Sequence, residues 1–358
     1  MEATPGPRDR IEIAVGRLLG LLPPRLQVRL SGEPPIVLDG QTLAPDIQLL
    51  LALIERFGSP SPETLPVEES RALRRRVAIA ANGRPTPVKS VSDLTIDGPA
   101  RPLKARHYAP AEQGGPHPLL VYYHGGGWTI GDLDTHDELC RMLTRHAGVH
   151  VLSIDYRLGP EEPFPAAVED ALAAYEWAAE NAESLGADPE RVCVGGDSAG
   201  GNLSTVVCQQ TRGSGRSPFF QLLIYPGTDA STDRPSKELF GHGFMLTRAE
   251  MDWFIGNYLH GVDVDRTDPR LSPMCADDLS GLPPALVVTA GFDPLRDEGE
   301  AYAEALNAAG SPATLRRFPS LIHAFVNLTK VSPSSRDAVV EIAGATRAMV
   351  RRAVLEPA

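Results

Sequence analysis

The stretch Arg191-Val192-Cys193-Val194-Gly195-Gly196-Asp197-Ser198-Ala199-Gly200-Gly201 decides the fold. Residues 191–195 read as a short strand and 199–210 as a helix, with a G-x-S-x-G turn between them. A serine in so tight a strand-to-helix turn takes a strained backbone conformation and projects its hydroxyl outward. Side chains two residues to either side would collide, so glycine stands at both places. The helix start adds free amides and the positive end of its dipole. No Gly-Lys-Ser/Thr follows, which excludes a phosphate-binding Walker loop. Ser198 is the candidate nucleophile.

Outward from this turn, strand-like and helix-like segments alternate. Residues 119–123, 149–156, 221–225, 286–289 and 313–318 read as strands, and 165–180, 298–309 and 337–354 as helices. Such alternation predicts an α/β fold with a mostly parallel central sheet covered by helices on both faces. Residues 229–281 break the rhythm. They carry Phe240-Gly241-His242-Gly243-Phe244, then a helix with Met251, Trp253, Phe254 and Tyr258, and read as an excursion from the sheet. Before residue 88 there are helical patterns at 10–22, 43–57 and 62–81, the middle one with Ile47, Leu50, Leu51 and Ile54 at helical spacing.

The chain has 358 residues, 42% hydrophobic and 22% charged, which suits a globular protein of one large domain with an appendage, or of two. Lys plus Arg is 34 against 46 Asp plus Glu, a net charge of −12 that disfavours nucleic acid as a partner. The short cluster Arg71 to Arg76 reads as a solvated helix face. Cys140, Cys193, Cys208 and Cys275 form no C-x-x-C pair and have no zinc-finger spacing, so no metal site is signalled. Free thiols suit a cytoplasmic protein. No run of 18 apolar residues occurs, so stable membrane insertion is not expected.

A second glycine motif, His124-Gly125-Gly126-Gly127-Trp128, follows the strand at 119–123. Acyl transfer builds negative charge on a carbonyl oxygen, and pre-aimed amides stabilise it. The expected oxyanion donors are two amides among Gly125, Gly126 and Gly127, plus the amide of Ala199. His124 reads as structural. An activated serine also needs an imidazole, and the imidazole a carboxylate. His323 follows the strand at 313–318. Asp293 follows the strand at 286–289, while Asp297 is already entering the next helix; Asp293 takes precedence, and Asp297 is the alternative. The order Ser198, Asp293, His323 is that of α/β-hydrolases.

With HGGGW at 124–128, GDSAGGNL at 196–203, DPLRDEG at 293–299 and Asp155-Tyr156-Arg157-Leu158-Gly159-Pro160, the chain resembles the hormone-sensitive lipase family of α/β-hydrolases, the bacterial family IV esterases, in the branch with Asp197 before the serine. Gly159 stands where the family usually has Ala, and Glu162 where His is common. The resemblance implies a helical cap, from residues 41–87 and 229–262, over a catalytic domain at 88–358. Residues 1–40 form an N-terminal extension whose apolar and proline content suggests docking on the cap or on a second subunit of a homodimer. Leu50, Ile54, Phe240, Phe244, Met245, Trp253 and Phe254 are then candidates for an acyl wall, and Trp128 and Asp197 for substrate contacts.

The motifs predict ester hydrolysis with no cofactor, and the resemblance implies short- to medium-chain acyl esters, small soluble molecules, as substrates. An amidase or deacetylase would use the same triad, and a non-catalytic binding module could use the same fold.

Overall fold

The computed structural model describes residues 7–57, 60–82, 84–111 and 116–352. Residues 1–6 of the extension, and the expected continuation of the last helix to 354, lie outside the described residues. A small antiparallel hairpin, β1 (Val37–Leu38) and β2 (Gln41–Thr42), precedes the main sheet. The sheet has eight strands: β3 (Ser90–Ile96), β4 (Leu103–Ala109), β5 (His117–Tyr123), β6 (His150–Asp155), β7 (Ala187–Asp197), β8 (Gln221–Ile224), β9 (Ala285–Phe292) and β10 (Ala313–Ile322). Their spatial order is β10-β9-β8-β7-β5-β6-β4-β3. From β10 to β6 every pairing is parallel, and β4 and β3 add antiparallel neighbours at one edge.

Why these residues make a two-sided sheet is plain in β5. Leu119, Val121 and Tyr123 pack on one face, with the helices Ala166–Asn181, Ala199–Thr211 and Arg296–Ala308. Leu120 and Tyr122 pack on the other, with Asp137–Ala147 and Pro333–Arg352. A strand covered on both faces needs an unbroken apolar run rather than alternation. Each large side chain so buried contributes about 1.5–3 kcal/mol.

The N-terminal segments pack on the loops that leave the carboxyl ends of these strands. Pro24–Ser31 is a helix that the proline-rich sequence did not disclose. It docks on Pro45–Phe57, where Gln48 Nε2 donates to Ser31 Oγ at 2.9 Å and to the Pro34 carbonyl at 3.0 Å. The helix Val67–Asn82 corrects the solvated-face expectation for its arginines. Arg71 pairs with Glu161 at 2.7 Å, Arg74 with Glu250 at 3.1 Å and Arg75 with Asp132 at 2.9 Å. The cluster faces the body of the protein because acidic residues of three different loops and helices wait there. The helix Arg248–Tyr258, inside the excursion, starts with a capping box between Thr247 and Glu250. Its far end reaches the loop after β6, where the Tyr258 carbonyl accepts from Phe164 N–H at 2.7 Å. Here a Cβ on Gly159 would overlap the Asn257 carbonyl, which accounts for glycine in place of alanine.

Candidate active site

Strand β7 ends at Asp197, and the next helix begins at Ala199. Ser198 joins them with φ 55° and ψ −117°, a conformation that non-glycine residues keep only when their surroundings hold it. The surroundings do so: Ser198 N–H donates to the Ile224 carbonyl at 2.8 Å, and its own carbonyl accepts from Asn202 N–H at 3.0 Å. A Cβ on Gly196 would overlap the Gly200 backbone, and one on Gly200 would overlap the Tyr123 carbonyl. Glycine is thus demanded by the neighbouring strand β5 as well as by the turn itself. Ser198 occupies the helix N-cap without making a capping bond. Its Oγ lies instead 3.0 Å from His323 Nε2.

His323 follows β10 directly, because that strand runs on to Ile322 past a register shift after Phe318. Its Nδ1 lies 2.8 Å from Asp293 Oδ2. Asp293 follows β9, is fully buried, and its other oxygen accepts from Leu295 N–H at 2.8 Å. The Tyr225 ring backs the imidazole at 4.5 Å. Asp297 is turned elsewhere. It accepts from Ser236 N–H at 2.9 Å and from Arg296 Nε at 2.9 Å, in the first turn of the helix Arg296–Ala308.

The glycine loop after β5 bends through positive φ at Gly126 (122°), Gly127 (57°) and Trp128 (55°). A side chain at Gly126 would meet the Ile130 carbonyl. Gly125 departs from its expected part as an oxyanion donor. Its N–H donates to Asp197 Oδ1 at 2.9 Å. Gly126 and Gly127 remain, and they line one cavity with Ser198, Ala199 and His323. Asp197 is 2% exposed, and its carboxylate also accepts from Tyr122 Oη at 2.8 Å and approaches His136 Nε2 at 3.3 Å. Both oxygens are held by protein groups, so Asp197 anchors the glycine loop, and it also borders the cavity. Burial pushes its pKa up, but His136, Tyr122 and the Gly125 amide outweigh burial and hold it below the usual value. Burial and His136 push the His124 imidazole down to about 4. Neutral His124 donates from Nδ1 to the Gly125 carbonyl at 2.9 Å and stacks on Tyr156.

The cavity has a volume of about 1840 Å³. Leu50, Ile54, Met245 and Phe254, expected on its wall, line it, as does Trp128. Phe240 and Phe244 instead pack on Phe292, and Trp253 meets Phe254 edge-on at 5.2 Å. Trp128 stacks on Tyr258 at 4.4 Å. Two supports were not anticipated from the sequence. Arg71 donates to the carbonyls of Thr129 and Gly159, each at 2.7 Å. Glu298, buried beside the cavity, accepts from Thr228 N–H at 2.7 Å and Asp229 N–H at 3.2 Å. A signal existed for Glu298 alone, since DPLRDEG includes it.

A serine poised between strand and helix, with an imidazole and a carboxylate from two later strand ends, is the mark of an α/β-hydrolase. A family model described as the alpha/beta hydrolase fold matches residues 120–327, and the chain belongs to that family, in its hormone-sensitive-lipase-like branch. It is 51% identical to the carboxylic ester hydrolase LipN of Mycobacterium tuberculosis over 346 residues, 94% of this chain and 91% of the relative. It is 37% identical to the ethyl acetate hydrolase of Pseudomonas putida, over 84% of this chain and 97% of the relative. Among solved structures it resembles the ester hydrolase EH1AB1 from the metagenome of Lake Arreo, at 45% identity and a TM-score of 0.82, covering 86% of this chain and 98% of that one.

Proposed function

We propose that this protein is a carboxylesterase that hydrolyses short- to medium-chain acyl esters through an acyl-enzyme on Ser198. The observation that carries the reading is the unbroken hydrogen-bonded path from Ser198 Oγ through His323 to Asp293, opening on the cavity. His323 Nε2 takes the serine proton as Oγ attacks the ester carbonyl. Asp293 fixes the tautomer and stabilises the imidazolium that forms. The oxyanion is held by the amides of Gly126, Gly127 and Ala199. His323 then protonates the departing alcohol, and water activated by the same imidazole releases the acid. In this reading residues 41–87 and 229–262 form the cap, 88–358 the catalytic domain, and the first 40 residues an extension resting on the cap.

The test is hydrolysis of p-nitrophenyl esters from acetate to palmitate by the wild type and by Ser198→Ala, His323→Ala, Asp293→Asn and Asp297→Asn. The first three variants should lose about 10³–10⁴-fold or more in kcat. Asp297→Asn should stay within about tenfold of wild type, because its partners are Ser236 and Arg296. Damage from Asp297→Asn with an active Asp293→Asn would exchange the two carboxylates. A wild type inert on every ester would overturn the reading.

A further inference from the structure

Nine of the twelve large apolar side chains exposed among the described residues fall between Val15 and Val77. Val15, Ile54, Phe57 and Val77 line the active-site cavity, so this apolar ground adjoins its mouth. It continues onto the helix Pro24–Ser31, where Gln27 and Ser31 face inward and Leu26 and Leu30 are exposed. Leu18 and Leu21 are the most exposed of the set, at 69% and 71%.

The charge of the same segment runs against the rest of the chain. The protein carries a net −12, yet residues 14–32 hold Arg17, Arg25 and Arg29 and no acidic residue. Arg25 and Arg29 stand one helical turn apart on the exposed side, beside Leu26 and Leu30. Arginines interleaved with outward leucines are the pattern of a helix that lies in a lipid–water interface. A second copy seated face to face would set arginine against arginine, whereas an anionic surface complements them. Among the described residues no helix is long and apolar enough to cross a membrane, so the contact is peripheral.

We propose that the face built by Pro24–Ser31, the adjoining residues 15–21 and the cavity mouth docks on an anionic lipid surface. Its position at the mouth would let an ester pass from that surface into the cavity. The entry step rests on the esterase reading; the docking itself does not.

The test is flotation with vesicles of phosphatidylcholine alone and with about one-third phosphatidylglycerol, using the full chain and Ser198→Ala, which separates docking from turnover. Both proteins should float with the anionic vesicles and be released by roughly 0.5 M salt. The double variant Arg25→Glu with Arg29→Glu should bind at least about tenfold more weakly, each arginine near such a surface being worth about 1 kcal/mol. Leu26→Ser with Leu30→Ser should also weaken binding. Both double variants should keep wild-type turnover of soluble p-nitrophenyl acetate, which reports that they fold. Equal binding to both vesicles, binding untouched by either double variant, or no binding with a dimer in sedimentation that Leu26→Ser with Leu30→Ser dissolves would overturn the proposal.

Discussion

Arg71 reaches from the helix Val67–Asn82 to the carbonyl oxygen of Thr129, 2.7 Å from its Nε. Its second arm takes the Gly159 carbonyl, and its fork closes on Glu161. Thr129 N–H in turn donates to the Gly126 carbonyl, and Gly159 N–H to that of Trp128. One guanidinium therefore joins an N-terminal helix to both loops that shape the glycine turn.

Arg71→Ala should lower kcat/KM for p-nitrophenyl butyrate by about 10–30-fold, from the loss of charge-assisted bonds worth about 1.5–2 kcal/mol in net. Arg71→Lys should recover little, since an ammonium cannot reach two carbonyls and a carboxylate as a planar fork does. Steady-state kinetics with thermal unfolding separates the effects. Full activity in Arg71→Ala would reduce the contact to surface packing.

Asp197 makes the second anchor. Asp197→Ala leaves the Gly125 amide and the Tyr122 hydroxyl buried without their acceptor, at a cost on the order of 3 kcal/mol. Both stability and kcat should fall. Asp197→Asn keeps an acceptor for the Gly125 amide and should be milder in denaturant melts. If Asp197→Ala raises KM alone, with stability and kcat intact, Asp197 touches substrate after all.

The reach of the sequence follows from the range of the forces involved. The elbow at Ser198, the strands behind Asp293 and His323, and the long helices are written in local pattern. Strands β3 and β4 are hard to read from the sequence, because β3 is mostly polar at the sheet edge and β4 carries Lys104, Arg106 and His107 among its apolar residues. The helix Asp137–Ala147 was also missed, although its apolar residues face one side. The arginines of Val67–Asn82 looked solvated because their partners, Asp132, Glu161 and Glu250, come from distant parts of the chain. The same holds at Gly125, where only the folded structure shows that Asp197 has taken its amide.

Phe254 lies against Gly127, where an added Cβ would strike its ring. It crowds the space beside Gly127, one of the proposed oxyanion donors. Phe254→Ala should shift the ratio of kcat/KM for bulky over small acyl groups upward by about tenfold, chiefly through the bulky ester. A p-nitrophenyl pivalate and acetate pair measures this, and an unchanged ratio would place the acyl group elsewhere in the cavity.

At the opposite end of the sheet His107 Nε2 lies 2.9 Å from His150 Nδ1, the two rings parallel and both residues buried. One proton fits between those nitrogens, so the contact cannot hold with both imidazoles protonated. Burial, then His107, His117 and Lys89, push His150 from 6.5 down to about 4. Burial lowers His107 as well. The unfolded chain therefore binds more protons below about pH 6.5 than the native state does. The stability that the neutral pair supplies is complete above that pH, is lost as pH falls toward 4, and changes no further below it. Asp155, raised to about 6 by burial first and by Asp132, titrates with the opposite sign, and His124 with the same sign as His150, so wild-type melts alone blend them. The informative quantity is the difference from His150→Gln, which keeps a hydrogen-bonding group and removes the titration. The thermal midpoint of wild type should drop more steeply than that of the variant between pH 6.5 and 4.5, by a few degrees in the difference. Parallel curves would mean that the pair is already relieved of its charge penalty by solvent.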